Sequence, residues 1–182
     1  MKANTQEEYV FISIGSDQCI PGNDFSIGVF NGDYIGISSC NLGNFVFSSL
    51  KLKRDQWNFI VITLSQTNKL TSYLNGFYNN QTITANNINT QYNTIEFGRR
   101  LINKTTPNAG YLTDIRIWER VISIEEISTV QNFQNVIHGL VAYWDGYVHN
   151  NKLIDYFGNF DGTFSDLGIM VNTCNNGILF HY

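Results

Sequence analysis

Charge is scarce in this chain. Only 14% of its 182 residues are Asp, Glu, Lys or Arg, and the formal net charge is −4. No basic cluster occurs anywhere, which argues against nucleic-acid or anionic-membrane binding through bulk charge. Proline is nearly absent, with Pro21 and Pro107 alone. Cysteine is limited to Cys19, Cys40 and Cys174, an odd number with no metal-ligand spacing, so one disulfide plus a free thiol and three free thiols both stay open. No apolar run is long enough to span a bilayer. The opening "MKANTQEEYV" has no apolar signal-peptide core, which fits either a non-secreted chain or a piece taken from within a longer one.

Neutral polar and apolar residues fill the space that charge leaves. Hydrophobic residues make up 43% and aromatics 14%, enough for one packed core. About two dozen residues are Asn, and Ser, Thr and Gly are plentiful. These side chains favour turns over helix interiors because they compete for backbone hydrogen bonds. The length fits a single domain over 1–182.

Short β-rich runs recur at the 8–12-residue spacing of a sandwich or barrel. "EEYVFISIG" (7–15), "FSIGVF" and "DYIGISS" around "NGD" (31–33), and "NFVFSSL" (44–50) read as strands. Asn-Gly between alternating runs is a strong hairpin signal, here with pairs summing to about 64. That register sets Cys40 opposite residue 24 rather than Cys19, so a Cys19–Cys40 disulfide needs the loop to fold back. "QWNFIVITLS" (56–65) is apolar on both faces, as in a buried strand. "LTSYL", an Asn-Gly turn at 75–76, "FYNNQTIT", "NTIEFG" (93–98), "YLTDIRIW" (111–118), "HGLVAYW" (138–144) and "GILFHY" (177–182) continue the pattern. Trp57, Trp118 and Trp144 fall inside strand patterns and read as framework.

One helix is expected, over 123–130. Ser123 and Glu126 form a capping-box pair, Glu125 and Glu126 suit the positive end of the helix dipole, and Ile124, Ile127 and Val130 share a face. Strand, turn and helix together should close one end of the sandwich.

"WNFIVIT" (57–63), "SYLNG" (72–76), "IEFG" (95–98) and "GYLTDIRIWERVISIEEI" (110–127) occur in that order. This series resembles the second half of a laminin-G-like or pentraxin-like domain of the concanavalin A-like lectin/glucanase superfamily. "HGLVAYWDGY" (138–147) and "LIDYFGNFDGTF" (153–164) resemble a further segment of such proteins. The resemblance implies an all-β, antiparallel jelly-roll sandwich. An early family strand before the first hairpin has no counterpart unless "EEYVFISIG" (7–15) is a degenerate version of it. The chain is then either a piece lacking that strand, or "LGIMVNTCNNGILFHY" (167–182) fills the vacant edge. An open edge invites pairing and leaves room for a homo-oligomer.

Catalysis is not expected. The E-x-D-x-x-E strand of related glucanases is missing. A retaining glycosidase needs two carboxyls about 5–5.5 Å apart, whereas Asp114 and Glu119 have odd spacing and would face opposite ways on a strand. His138, His149 and His181 lack nucleophile partners. The resemblance also implies a pentraxin-type double calcium site after the 95–98 strand, but Arg99 and Arg100 stand where acidic ligands belong. The cofactor expectation is therefore none, or a single Ca²⁺ on Asp17, Asn23, Asp24 and Asp33, set against ordinary Asx turns.

The expected function is non-catalytic binding of a glycan, with protein–protein interaction or assembly as the alternative. Tyr78, Asn79, Asn80, Tyr92, Asn93, Arg99, Arg100 and Tyr111 supply the aromatic faces and amides that sugar recognition uses. Expected partners are a glycan or a cell-surface protein, without nucleic acid or membrane insertion. The expected location is extracellular or surface-exposed as part of a larger chain. Asn80 and Asn103 sit in sequons that matter only on a eukaryotic secretory route.

Overall fold

The computed structural model describes residues 9–15, 24–30, 32–39, 43–67, 69–78, 83–84, 94–98, 111–165, 168–172 and 179–181. Their strands are β1 (Tyr9–Gly15), β2 (Asp24–Phe30), β3 (Tyr34–Ser39), β4 (Gly43–Lys51), β5 (Ile60–Leu64), β6 (Lys69–Leu74), β7 (Phe77–Tyr78), β8 (Ile83–Thr84), β9 (Thr94–Phe97), β10 (Ile115–Trp118), β11 (Leu140–Trp144), β12 (Val148–His149), β13 (Lys152–Leu153), β14 (Gly162–Ser165), β15 (Gly168–Asn172) and β16 (Leu179–His181). Among the described residues one helix, α1, covers Ile124–Gln131. Every pairing is antiparallel. The first sheet runs β12-β13-β14-β15-β9-β1-β2-β3-β4 and the second β11-β10-β16-β5-β6-β7, with β8 also on β6.

Tight turns do what their residues dictate. The β2–β3 hairpin pairs Ser26 with Ser38 and Phe30 with Tyr34, the register read from the sequence. Asn75 and Gly76 (φ 51° and 82°) close β6–β7, and Asn150 and Asn151 (φ 49° and 57°) close β12–β13. Both are two-residue loops with φ > 0 at each centre, which match strand twist and suit Asn and Gly.

Alternation then sorts side chains into layers. Ile12, Ile14, Phe25, Ile27, Ile35, Ile37, Ile95 and Phe97 from the first sheet share one buried core with Ile60, Ile62, Leu70, Leu74, Ile115, Ile117 and Trp144 from the second. Phe97 and Trp144 meet edge to face, 5.3 Å between centroids, and join the sheets directly. A bulge between Val10 and Ile12 leaves Phe11 extra and brings β1 close over Gly28. A Cβ on Gly28 would overlap the Tyr9 carbonyl oxygen, so only glycine fits there.

A second cluster lies on the other face of the second sheet. Val61 and Trp118, which alternate with inward-facing neighbours, pack with Ile122, Ile127 and Val130. The helix thus covers the outer face of the sheet rather than closing an end of the sandwich, as the sequence suggested. Both faces of β5 are buried for this reason.

Three further expectations change. Trp57 is 70% exposed rather than framework. The Asn58 amide donates to the Lys53 and Gln56 carbonyls and accepts from the Lys53 N–H, folding 53–58 into a loop so that β5 starts only at Ile60. The strand expected at 111–118 begins at Ile115, because Asp114 is left-handed (φ 54°). The tail does not fill an edge. β15 lies between β14 and β9, and β16 between β10 and β5, both interior positions.

Candidate functional site

Of the anticipated ligand-binding residues, Tyr78 and Tyr111 are described; Asn79, Asn80, Tyr92, Asn93, Arg99 and Arg100 lie outside the described residues. So do Asn103 and all three cysteines. Tyr78 is half-exposed on β7, its ring 5.0 Å from that of Tyr73. Burial raises the Tyr73 hydroxyl pKa, with the neighbouring Tyr78 adding to the shift. Tyr111 is 89% exposed and leads toward β10. Between the strands they flank lie four inter-strand steps, roughly 19 Å at the usual spacing. These two tyrosines therefore do not share one site.

Of the anticipated metal ligands, Asp17 and Asn23 lie outside the described residues and Asp24 is the first residue of β2. Asp33 (φ 71°) occupies the β2–β3 turn, and its carboxylate accepts from Arg54 Nε at 2.8 Å, so a cationic side chain already occupies its front. Among the described residues, no group of three or more His, Cys, Asp or Glu side chains is placed to hold a metal ion.

The carboxylates around α1 are structural. Ser123 Oγ accepts from the Glu126 N–H and Glu126 Oε2 from the Ser123 N–H, completing the capping box. Arg120 binds both oxygens of Glu126, at 2.8 and 2.6 Å, while its Nε donates to the His138 carbonyl. This fork and the Ser123 N–H hold the Glu126 pKa down to about 2. The Ser123 hydroxyl likewise lowers Glu125. The motif "WERVISIEE" thus encodes a clamp that fixes the helix to the 138–139 turn. Asp114 and Glu119 do not converge: Asp114 accepts from Arg116, and Glu119 is exposed beyond the end of β10. Glu96 is buried on β9 in register with Ser13 of β1.

The structure assembles a group that sequence reasoning missed, at the β11 margin of the second sheet. Asp155, only 1% exposed, is its anchor. Its carboxylate accepts from the N–H groups of Tyr143 (2.9 Å), Phe157 (3.3 Å), Asn159 (3.2 Å) and Phe160 (3.2 Å). Four N–H donors to one buried carboxylate hold the 155–160 loop rigidly against β11. The Asp155 N–H donates to Asp161, and the Tyr156 N–H to the Tyr143 carbonyl. Both outward-facing backbone groups of Tyr143 are therefore taken, and the sheet edge is blunted there.

This loop presents Tyr156 and Phe157. The Tyr156 ring lies 5.9 Å from Tyr143 and 5.8 Å from Phe157, tilted to the first and perpendicular to the second. Beneath them the Arg116 guanidinium sits 4.5 Å from the Tyr143 ring centre. Arg116 is 3% exposed and donates through Nε to Asp114 at 2.6 Å. Burial raises the Tyr143 hydroxyl pKa, and the Asp114 charge raises it further. The result is a ledge: an ion pair at the base, Tyr143 above it, Tyr156 and Phe157 outermost. The spacing of Asp155, Gly158, Asn159 and Asp161 is the sequence signal for this loop. It marks a turn but says nothing of which strand the turn leans on.

Two face-to-face antiparallel sheets with a helix on the outer face define a concanavalin A-like β-sandwich, a class built mainly for holding ligands. A family model, Laminin_G_3 of the Concanavalin A-like lectin/glucanases superfamily, matches residues 1–128, and the chain belongs to that family. Its members are usually non-catalytic, although the superfamily includes glucanases. No curated protein and no solved structure matches the chain.

Proposed function

We propose that this protein is a non-catalytic carbohydrate-binding module, displayed extracellularly or on a surface as part of a larger assembly. The observation that carries the reading is a contrast in how two residue types are used. Among the described carboxylates, Asp33, Asp114, Glu126 and Asp155 are bonded within the fold. Large aromatic side chains stand in solvent, with Tyr156 76% and Tyr111 89% exposed. A surface of this kind suits stacking on sugar rings, and the four bonded carboxylates are not available as an acid–base pair for hydrolysis. Family membership supports binding without chemistry.

A glycan array probed with the purified chain tests this, together with incubation of any bound oligosaccharide. The expected result is saturable binding competed by free sugar, with the oligosaccharide recovered intact. Absence of any sugar response, or release of reducing ends, would overturn the reading.

A protein-interaction role has its own support. Phe133 is 86% and Ile137 71% exposed in the segment after α1, and Val121 and Ile124 are half-exposed around the start of the helix. Apolar side chains grouped this way mark protein contacts more than sugar contacts.

A further inference from the structure

The aromatic ledge at Tyr143, Tyr156 and Phe157 lies beyond residue 128, outside the part of the chain that the family model matches. We infer that this ledge is a binding site for the apolar face of an uncharged pyranose ring, with Tyr156 as the stacking platform. The inference rests on the carbohydrate-binding reading above and gives it a place and a ligand class.

Three observations select a short stretch of uncharged sugar as the occupant. The first is size. A large aromatic side chain carries roughly 150–250 Å². At 76% and 42% exposure, Tyr156 and Phe157 together offer on the order of 200–250 Å². A stable protein partner needs about 800 Å² a side, so these two rings suit one or two sugar units, with the exposed Tyr147 adjoining the loop where the Ile154 N–H donates to its carbonyl.

The second is charge. The cation seated against Tyr143, Arg116, is buried and already bonded to the Asp114 carboxylate, so this ion pair at the base is neutral overall. A sulfate or carboxylate on the ligand would gain no free cation from this pair, and the Asp114 and Asp145 charges that act on the Tyr143 hydroxyl would disfavour it. An uncharged sugar meets hydroxyl and amide partners instead. The Asn159 side chain is exposed at the rim and has no hydrogen-bond partner among the described residues.

The third is rigidity. The Tyr156 backbone is held from both sides, by its own N–H on Tyr143 and by the four-donor Asp155 carboxylate next to it. An aromatic ring kept exposed on a fixed backbone loses little conformational freedom on binding. Nothing in the core requires that exposure, because Trp144 and Phe160 already fill the space under the loop, with Trp144 Nε1 donating to the Phe160 carbonyl.

The test uses the whole chain and the best neutral oligosaccharide from the array. Titration by NMR or calorimetry is run on the parent protein, Tyr156→Ala, Tyr156→Phe and Asn159→Ala. The expected result is a loss of at least ten-fold in affinity for Tyr156→Ala, near-parent affinity for Tyr156→Phe, and a two- to five-fold loss for Asn159→Ala. Shifts should appear in the Tyr143, Tyr156 and Phe157 resonances, and the melting temperature of Tyr156→Ala should stay at the parent value. If the parent binds a glycan and Tyr156→Ala binds it equally well, the ledge is refuted while the carbohydrate-binding reading stands. If the parent binds only sulfated or sialylated glycans, the ligand class is wrong. If it binds no glycan, both readings fall together.

Discussion

At the scale of single residues, exposure and bonding separate side chains that look alike in the sequence. Trp57, Trp118 and Trp144 all sit in apolar runs, yet Trp118 and Trp144 are fully buried and Trp57 is 70% exposed. Both buried indoles satisfy their N–H, on the Val136 and Phe160 carbonyls. Asp155 is a stronger case. Removing its carboxylate leaves the N–H groups of Tyr143, Phe157, Asn159 and Phe160 without that acceptor. A buried donor left unsatisfied costs about 1–3 kcal/mol, and water would re-enter part of this loop. Asp155→Ala should therefore lose about 2–4 kcal/mol in urea unfolding. Trp57→Ala should stay within about 0.5 kcal/mol of the parent. Similar values for the two variants would show that the Asp155 loop does not hold as described. Local pattern suggests burial for all three tryptophans and so misplaces Trp57, whose loop is set by the Asn58 amide. The role of Asp155 does not follow from local pattern, because its donors come from a strand twelve residues away and a turn beyond, and no periodicity records that.

At the scale of elements, local chemistry was legible and tertiary placement was not. The helix needs only Ser123, Glu125, Glu126 and the Ile124/Ile127/Val130 spacing to be recognised, all within eight residues, although Ile124 is half-exposed rather than packed on the strand layer. The layer it covers depends on Trp118 and Val61 pointing away from the core, which only the assembled sheet reveals. The ion pair on its first turn gives the helix a pH signature. Glu126 is held down to about 2, from 4.5, by Arg120 and the Ser123 N–H. A carboxylate with a depressed folded-state pKa binds its proton more readily when unfolded, so stability rises with pH across the interval between the two values. The contribution is present in full above about pH 4.5 and drains away as pH falls toward 2. Glu126 is partly exposed, so solvent screening makes the effect modest. Glu126→Gln removes the titrating group and one arm of the fork. Its melting temperature should lie below the parent value at pH 7, and the gap should narrow steadily from pH 4.5 to pH 2.5. A gap independent of pH would mean that Arg120 and Glu126 are not paired in solution.

At the scale of the molecule, the chain's last described segments decide whether the two sheets are continuous. Its apolar, β-rich residues mark "GILFHY" as a strand, but such a run has no address: a three-residue strand fits any edge or gap whose register suits its side chains. In the structure β16 joins β10 to β5 through Arg116–His181, Ile117–Phe180, Phe180–Ile62 and Leu179–Thr63 pairings. Without it, the second sheet separates into β11-β10 on one side and β5-β6-β7 on the other. Both new edges would bear unpaired backbone groups directly over the buried Ile62 and Ile117, a template for association. β15 plays the matching part between β14 and β9 in the first sheet. Deleting residues 179–182 should therefore do more than fray a terminus. The shortened chain should elute as higher-order species or with a lowered melting temperature, and amide exchange should accelerate in both 60–64 and 115–118 while 24–39 keeps its protection. Exchange of the intact protein is equally specific, since amides of β5 and β10 that face β16 should be as slow as those in β1 and β2. A shortened chain that stays monomeric, with unaltered exchange at 115–118, would place β16 elsewhere. The second sheet would then close by direct contact of β5 and β10, which would draw the helix over Val61 and Trp118 about one strand spacing closer to the β7 margin.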